Sequence, residues 1–103
     1  MLKITDDNFD DTVLRAENKF LLEFGADRCY YCKVMKDVIE DAAEELNDVT
    51  FGIIDVDAEN RIPDLYSIRS IPTMILFKNG EVVARKSGVI SRDEMERMIG
   101  GTA

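Results

Sequence analysis

Cys29-Tyr30-Tyr31-Cys32 is the stretch that decides the fold and the chemistry of this 103-residue chain. It holds the only two cysteines of the sequence, and it lies where an apolar run at 20–24 gives way to apolar residues at helical spacing. If this junction is a strand-to-helix turn, Cys29 begins the helix and Cys32 lies one turn further along the same face, close enough for a disulfide. The unpaired N–H groups and the positive dipole end of a first turn stabilise a thiolate over a thiol. Because the thiolate is the nucleophile, the motif predicts redox reactivity.

The composition is that of an ordinary globular protein, with 46% hydrophobic and 33% charged residues. Residues 1–103 suit a single domain. Two cysteines cannot build a disulfide scaffold, and without histidine they also fall short of the four ligands of a structural zinc site unless a second chain supplies the others. The cysteine pair is therefore better explained by chemistry than by structural support.

The net charge of −8 argues against nucleic acid as a partner, since binding to phosphates depends on clusters of lysine and arginine. The first residues, from Met1 to Asp7, lack the order of charged, apolar and small residues found in a signal peptide. No apolar run has the length needed to cross a bilayer. We therefore expect a cytoplasmic protein without a membrane partner.

Apolar periodicity on both sides of the motif alternates between strand and helix. Continuous apolar runs are typical of covered strands, and spacings of three and four are typical of amphipathic helices. The pattern predicts, in order, a strand at 2–4, a helix from Thr5 to about Ala16, a strand at 20–24, a long helix to about Asn47, a strand at 50–56 and a shorter helix beginning at Asp57. Strands that alternate with helices pair in parallel through helical crossovers.

The last third of the chain has a different character. Two apolar runs, at 73–77 and 82–86, flank Lys78-Asn79-Gly80-Glu81, and Asn-Gly is the strongest short signal for an antiparallel hairpin. Ser91 and Glu94 match a capping box ahead of a final helix that ends at Gly100-Gly101. The sequence thus predicts an α/β fold with a central mixed sheet of about five strands, flanked by about four helices.

This order of elements resembles the thioredoxin family across essentially the whole chain. The resemblance rests on Phe24 to Lys33 around the cysteines, on Tyr66 to Thr73 with its Ile71-Pro72-Thr73, and on Phe77 to Glu81 followed by Gly88. A Cys-X-X-Cys pair alone is a weak signal, whereas together with these segments it is specific. The resemblance implies a thioredoxin fold and a thiol-disulfide oxidoreductase with no bound cofactor, whose redox group is the Cys29–Cys32 disulfide itself.

The resemblance also implies roles for individual residues. Cys29 would attack a protein disulfide and Cys32 would resolve the resulting mixed disulfide. Ile71-Pro72 would be a cis peptide bond facing the cysteines, with backbone beside Pro72 and at Gly88 available to a substrate strand. The alternative is that Pro72 only begins a strand. The implied partners are protein disulfide substrates and a thioredoxin reductase or its equivalent, and we expect a monomer.

Glu23 aligns with the buried acidic residue of the family. A carboxyl inside a covered strand should hold its proton more strongly than a surface glutamate, and could exchange it with Cys32. Ile53 stands where many members of the family carry a lysine beside this acid, and without that countercharge a raised pKa is expected for Glu23. The alternative is that Glu23 points to solvent at the end of its strand.

The residues around the cysteines depart from the usual pattern of the family, which has Gly-Pro between the cysteines and Trp before them. Tyr30 and Tyr31 leave the reduction potential open, and they either form a docking surface for substrates or pack beneath the motif. Arg28 either lowers the pKa of Cys29 by its charge or is a solvated surface residue.

Three other functions stay open. One is a glutaredoxin-like or more oxidising dithiol carrier. Another is zinc or iron–sulfur binding, in which two chains each contribute Cys29 and Cys32. The third is a redox-silent interaction module. The acidic pair Asp55 and Asp57 at a strand end suggests capping or solvated side chains rather than a metal site.

Overall fold

Five strands form one mixed sheet in the computed structural model, which describes residues 1–101. The strands are β1 (Leu2–Ile4), β2 (Lys19–Gly25), β3 (Val49–Asp55), β4 (Thr73–Lys78) and β5 (Glu81–Ser87), in the order β1-β3-β2-β4-β5. β1 and β2 run parallel to β3, whereas β4 runs antiparallel to both β2 and β5. The predicted combination of a parallel N-terminal part with a C-terminal antiparallel hairpin is confirmed.

Within residues 1–101, three α-helices and one short π-helical turn flank the sheet. They are the turn at Asp10–Leu14, α1 (Tyr30–Ala43), α2 (Arg61–Leu65) and α3 (Arg92–Gly100). No helix within residues 1–101 is both long enough and apolar enough to span a membrane.

The first helical segment is much shorter than the predicted helix from Thr5 to Ala16. Thr5 and Asn8 bond each other reciprocally, since the Thr5 N–H donates to Asn8 Oδ1 at 2.8 Å and the Asn8 N–H donates to Thr5 Oγ1 at 3.1 Å. This reciprocal pair is arranged like a capping box, and the Phe9 N–H donates to the Thr5 carbonyl at 3.1 Å. The Arg15 N–H reaches five residues back to the Asp10 carbonyl at 3.2 Å, and helical turns of this π type are short. α2 begins later than Asp57, whose N–H is bonded at 2.9 Å to the side chain of Asp55, a local bond that favours a turn over a helix.

Two apolar clusters cover the two faces of the sheet. One packs α1 and α3 against the sheet around Leu21, Met35 and Met95, and the other packs the π-helical turn and α2 against the opposite face around Phe9, Phe24 and Ile62. Burying both faces explains why β2 and β4 are almost continuously apolar.

The alternation of side chains along β2 decides where its single acidic residue points. Phe20, Leu22 and Phe24 belong to the cluster on the side of α2, whereas Leu21 belongs to the cluster on the side of α1. Side chains two residues apart on a strand share a face. Glu23 therefore faces α1, the helix that begins with the cysteine motif.

Candidate redox site around Cys29 and Cys32

The two cysteines form a disulfide at the N-terminus of α1. Cys29 is the N-cap residue, and its Sγ accepts a hydrogen bond at 3.1 Å from the backbone N–H of Cys32. The Cα atoms are 5.2 Å apart, within the usual span of a disulfide. The prediction that both sulfurs lie on the first turn of one helix is confirmed.

The two sulfurs differ in their access to solvent. Cys32 is 3% exposed, whereas Cys29 is partly exposed. The first turn of α1 has no acidic residue, so no carboxylate within that turn opposes the stabilisation of a thiolate by the positive end of the helix dipole. Cys29 is therefore the more accessible residue of the pair.

The segment before β4 lies against the disulfide. The Ile71-Pro72 peptide bond is cis, and the carbonyl oxygen of Ile71 lies 4.0 Å from Cys29 Sγ. The Gly88 N–H donates to the Pro72 carbonyl at 2.8 Å, and the Thr73 hydroxyl donates to the Ser70 carbonyl at 2.7 Å. The prediction of a cis bond facing the cysteines is confirmed, and the interpretation of Pro72 as merely the start of a strand is wrong.

Residues 1–100 match the profile of the thioredoxin family. The chain belongs to that family. It is 36% identical over 100 residues to a thioredoxin of Buchnera aphidicola subsp. Acyrthosiphon pisum, covering 96% of this chain and 93% of the relative. It is 38% identical over 96 residues to a thioredoxin of Chlamydia trachomatis, covering 93% and 92%, and 34% identical over 99 residues to a thioredoxin of Mycoplasmoides gallisepticum, covering 96% and 99%.

Family membership and the disulfide at the head of α1 together support a thiol-disulfide oxidoreductase. Among residues 1–101, no three histidine, cysteine, aspartate or glutamate side chains are grouped so that they could hold a metal ion.

Glu23 lies fully buried beside the disulfide. It stands opposite Ile53 on β3 and Met74 on β4, it is 0% exposed, and neither carboxyl oxygen has a hydrogen-bond partner within the described part of the chain. A methyl group placed on Gly25 would lie 3.3 Å from Cys32 Sγ and 3.4 Å from Glu23 Oε2, so the sulfur and the carboxyl border the same small space. Burial raises the pKa of Glu23 to about 8. The prediction that Glu23 is buried is confirmed, and the solvent-facing alternative is wrong.

Arg28, next to the exposed cysteine, forms an ion pair with Asp57. Its Nε and Nη2 donate to the two carboxylate oxygens of Asp57 at 2.9 and 3.1 Å, and both side chains are exposed. The positive charge beside Cys29 is therefore offset by a carboxylate. The sequence interpretation had Asp57 as a capping or solvated residue and missed this pair. The predicted topology could have indicated this pair. Arg28 follows β2 and Asp57 follows β3, and the carboxyl ends of these parallel strands meet at one edge of the sheet.

Tyr30 and Tyr31 stand out from the surface beside the disulfide. They are 72% and 63% exposed, and their rings contact each other edge to face with centroids 5.5 Å apart. The alternative in which one ring packs beneath the motif is wrong. The two adjacent aromatic side chains thus form an exposed amphipathic surface beside the disulfide.

Proposed function

We propose that this chain reduces protein disulfides as a thioredoxin-type electron carrier. Cys29 and Cys32 are its redox group, it uses no bound cofactor, and a thioredoxin reductase or an equivalent enzyme restores the dithiol. We further propose that it acts as a single-domain monomer in the cytoplasm, where thiols are kept reduced. The observation that carries the proposal is the unequal exposure of the two sulfurs on the first turn of α1.

The reaction begins on the reduced protein. The Cys29 thiolate attacks one sulfur of the substrate disulfide, a Cys29–substrate bond forms, and the other substrate sulfur leaves as a thiolate that takes a proton from solvent. Cys32 then attacks Cys29 Sγ, which forms the Cys29–Cys32 disulfide and expels the second substrate thiolate. The substrate gains two electrons, and the carrier is left oxidised.

Glu23 is the proposed acceptor of the proton that Cys32 must lose before it attacks. A general base has to lie within reach of the proton, directly or through one water, and it works best when its pKa is close to the working pH. Glu23 borders the space that Cys32 Sγ occupies, and its pKa of about 8 is close to neutrality. The segment of Ile71, Pro72 and Gly88 is proposed to hold the substrate chain beside Cys29.

Trapping the intermediate tests the order of attack. With Cys32→Ser, a protein disulfide such as insulin should accumulate as a stable mixed disulfide with Cys29, because no second thiol is left to displace it. Cys29→Ser should form no such adduct and should lose insulin reduction. Mass spectrometry of the adducts decides the matter, and an adduct on Cys32 in the Cys29→Ser protein would contradict the assigned roles.

The exposed tyrosines provide a second test, of how substrates dock. Replacing Tyr30 and Tyr31 by serine should lower kcat/KM for a protein disulfide by roughly tenfold, the typical effect of removing aromatic anchors from an interface. The rate with hydroxyethyl disulfide, which is too small to use this surface, should change little. Val82→Ser is the matched control, since Val82 is an exposed apolar residue at the other end of the β4–β5 hairpin from the site. Equal losses with both substrates would show that the tyrosines do not dock proteins.

A more oxidising, glutaredoxin-like carrier is the competing function, because Tyr30 and Tyr31 replace the usual residues between the cysteines. The equilibrium of the Cys29–Cys32 pair with glutathione distinguishes the two. The cysteine pair of a thioredoxin-type reductant stays oxidised unless the glutathione buffer has a strongly negative redox potential. A pair that is already reduced in a mildly reducing glutathione buffer indicates the oxidising carrier.

Purification of a coloured or zinc-containing dimer would instead indicate a metal site shared between two chains.

A further inference from the structure

A cavity of about 710 Å³ lies beside the disulfide, on the side of Cys32. Gly25 and Cys32 line it where it meets the redox site, and Ile53 lines it along the sheet. Its volume lies in the range of sites that bind small molecules. Neither Cys29 nor the two exposed tyrosines border it. The cavity is therefore separate from the surface proposed to dock protein substrates.

The absence of a side chain at Gly25 leaves Cys32 open toward this cavity. A methyl group on Gly25 would lie 3.2 Å from Cys32 Cβ and 3.3 Å from Cys32 Sγ, closer than the usual contact distance of non-bonded carbon atoms. Any larger residue at this position would cover the sulfur from β2. Because Cys32 is only 3% exposed, a molecule must be small enough to enter the cavity to reach it.

The disulfide is also arranged so that attack on Cys32 expels the better leaving group. Cys29 Sγ accepts the Cys32 N–H at 3.1 Å at the N-cap of α1, and the positive end of the helix dipole stabilises a thiolate there. A disulfide opens faster when the expelled thiolate is the more stable one. A small thiol that reaches Cys32 therefore releases the Cys29 thiolate.

Acidic side chains outnumber basic ones around the cavity. Among residues 1–101, three lysines border it, which are Lys3, Lys33 and Lys36. Five carboxylates border it as well, and they belong to Asp27, Asp37, Glu40, Asp55 and Glu59. A cleft lined by an excess of one sign of charge concentrates small ions of the other sign. The cavity thus favours a cationic ligand over an anionic one.

We propose that low-molecular-weight amino thiols enter this cavity and exchange with the disulfide at Cys32. The inference rests on the proposed function, since it gives the oxidised carrier a second source of electrons besides a reductase. Protein disulfides meet Cys29 at the surface, whereas amino thiols meet Cys32 from the cavity. Gly25 is the residue that decides this specificity, because it keeps the path to the sulfur free.

The exchange takes two steps. The thiolate of the amino thiol attacks Cys32 Sγ, a bond between Cys32 and the amino thiol forms, and the Cys29–Cys32 bond breaks with its electron pair on Cys29. A second amino thiol then attacks the sulfur of the first, which releases their mutual disulfide and leaves Cys32 as a thiolate that takes a proton from solvent. Two amino thiols are oxidised, and the protein gains two electrons.

Proteins with a single cysteine test access to Cys32. In Cys29→Ser, cystamine, the disulfide of cysteamine, should form an adduct on Cys32, which is the intermediate of the proposed exchange. Insulin should form none, because it is too large for the cavity. Mass spectrometry identifies the adducts, and a Cys29→Ser protein that stays unmodified by cystamine overturns the inference.

Closing the path at Gly25 tests the role of the cavity. Gly25→Ala in the Cys29→Ser background should slow the reaction of Cys32 with cystamine by roughly tenfold, since the added methyl group displaces the attacking atoms. In the Cys32→Ser background the same substitution should leave the reaction of Cys29 with cystamine unchanged, which also verifies folding. Ala58→Trp narrows the cavity from an exposed position on its border and should slow the reaction of Cys32 as well. An unchanged rate at Cys32 in both variants overturns the inference.

The charge of the ligand is tested by comparing cystamine with the anionic dithiodiglycolate in Cys29→Ser. Cystamine should react faster with Cys32, and Asp37→Asn combined with Glu40→Gln should lower this preference by roughly threefold, the size of a solvent-screened interaction. Asp41→Asn combined with Glu44→Gln is the matched control, because it removes the same charge from exposed positions of α1 and its neighbouring turn that do not border the cavity. An equal loss of preference in both double variants means that only the net charge of the protein selects the ligand, and it overturns the choice of amino thiols.

Insulin reduction separates this inference from the proposed function. An unreactive Cys32 in a protein that reduces insulin overturns only the exchange through the cavity. A wild-type protein that reduces no insulin refutes the proposed function, while the reaction of Cys32 with cystamine still decides whether the cavity admits amino thiols.

Discussion

At the scale of a single residue, Glu23 shows how a buried acid makes stability depend on pH. In the unfolded chain it ionises like an ordinary glutamate, whose pKa is about 4.3, whereas burial keeps the folded form protonated up to about pH 8. Between these two values the folded state binds a proton that the unfolded state lacks. The free energy of unfolding therefore falls as the pH rises through this window, and this residue contributes no further change above it.

Glu23→Leu should remove this dependence. At pH 8 the variant should be more stable than the wild type by about 4 kcal/mol, because the unfolded wild-type chain ionises this glutamate at a much lower pH than the folded protein does. At pH 4, where the wild-type acid is protonated in both states, the gain should be small. Urea unfolding between pH 4 and 9 measures the difference in the free energy of unfolding between the two proteins. Glu17→Leu, at an exposed position, is the control. Parallel pH profiles of wild type and Glu23→Leu would contradict the raised pKa.

At the scale of an element, α2 depends on a residue far away in the sequence. Its own N-cap residue, Asn60, makes no side-chain capping bond. The carboxylate of Asp6 accepts instead from the N–H groups of Asn60, Arg61 and Ile62 at 3.1, 3.0 and 2.9 Å. Asp6, which lies within the helix predicted from Thr5 to about Ala16, thus caps the third helical segment of the chain.

Asp6→Ala should destabilise the protein by about 1 to 2 kcal/mol, because three N–H groups at the start of α2 lose their acceptor. Burial acts to raise the pKa of Asp6, but the three backbone hydrogen bonds outweigh it and the pKa is lowered. The contribution of Asp6 is therefore present above the ordinary pKa of an aspartate and is lost as the pH falls through the lowered value.

Urea unfolding at pH 7 and pH 3 measures this contribution. The neighbouring Asp7→Ala removes the same charge from an exposed position and is the control. If both variants lose the same stability at pH 7, the effect of Asp6 is one of net charge and not of capping.

At the scale of the whole molecule, charge is unbalanced. The chain carries 21 acidic and 13 basic residues, and the ion pairs within residues 1–101, such as Arg15 with Asp11 and Lys86 with Glu94, lie at the surface. Exposed pairs contribute little, whereas a net charge far from zero opposes the compact state through self-repulsion. Repulsion should therefore be the larger of the two effects.

Raising NaCl from about 0.01 M to 0.5 M should accordingly stabilise the protein, by roughly 1 kcal/mol, since the screening length falls from about 30 Å to a few ångström. Thermal unfolding at pH 7 across this series measures the change, and the same series at pH 4.5, near the pI, is the control. A fall in Tm with salt at pH 7 would mean that the local ion pairs outweigh the repulsion.

Local sequence patterns determined the outline of the fold and the location of its chemistry. Asn79 and Gly80 both have positive φ, as the tightest hairpin turns require. These two residues form the turn that brings β4 and β5 together as an antiparallel pair. Cys29 and Cys32 met because residues three apart on a helix are neighbours. The nearly continuous apolar run at 20–24 implied a strand covered on both faces. These features depend on the nearest few residues, and the sequence shows those directly.

Tertiary structure alone decided which distant groups meet. The pairing of Arg28 with Asp57 and the capping of α2 by Asp6 each join segments far apart in the chain. Periodicity tells which face of an element is apolar, but it does not fix how loops and helices from separate elements come together over that face. Those distances depend on the packing of the whole sheet, and through them the charges around the two sulfurs are set.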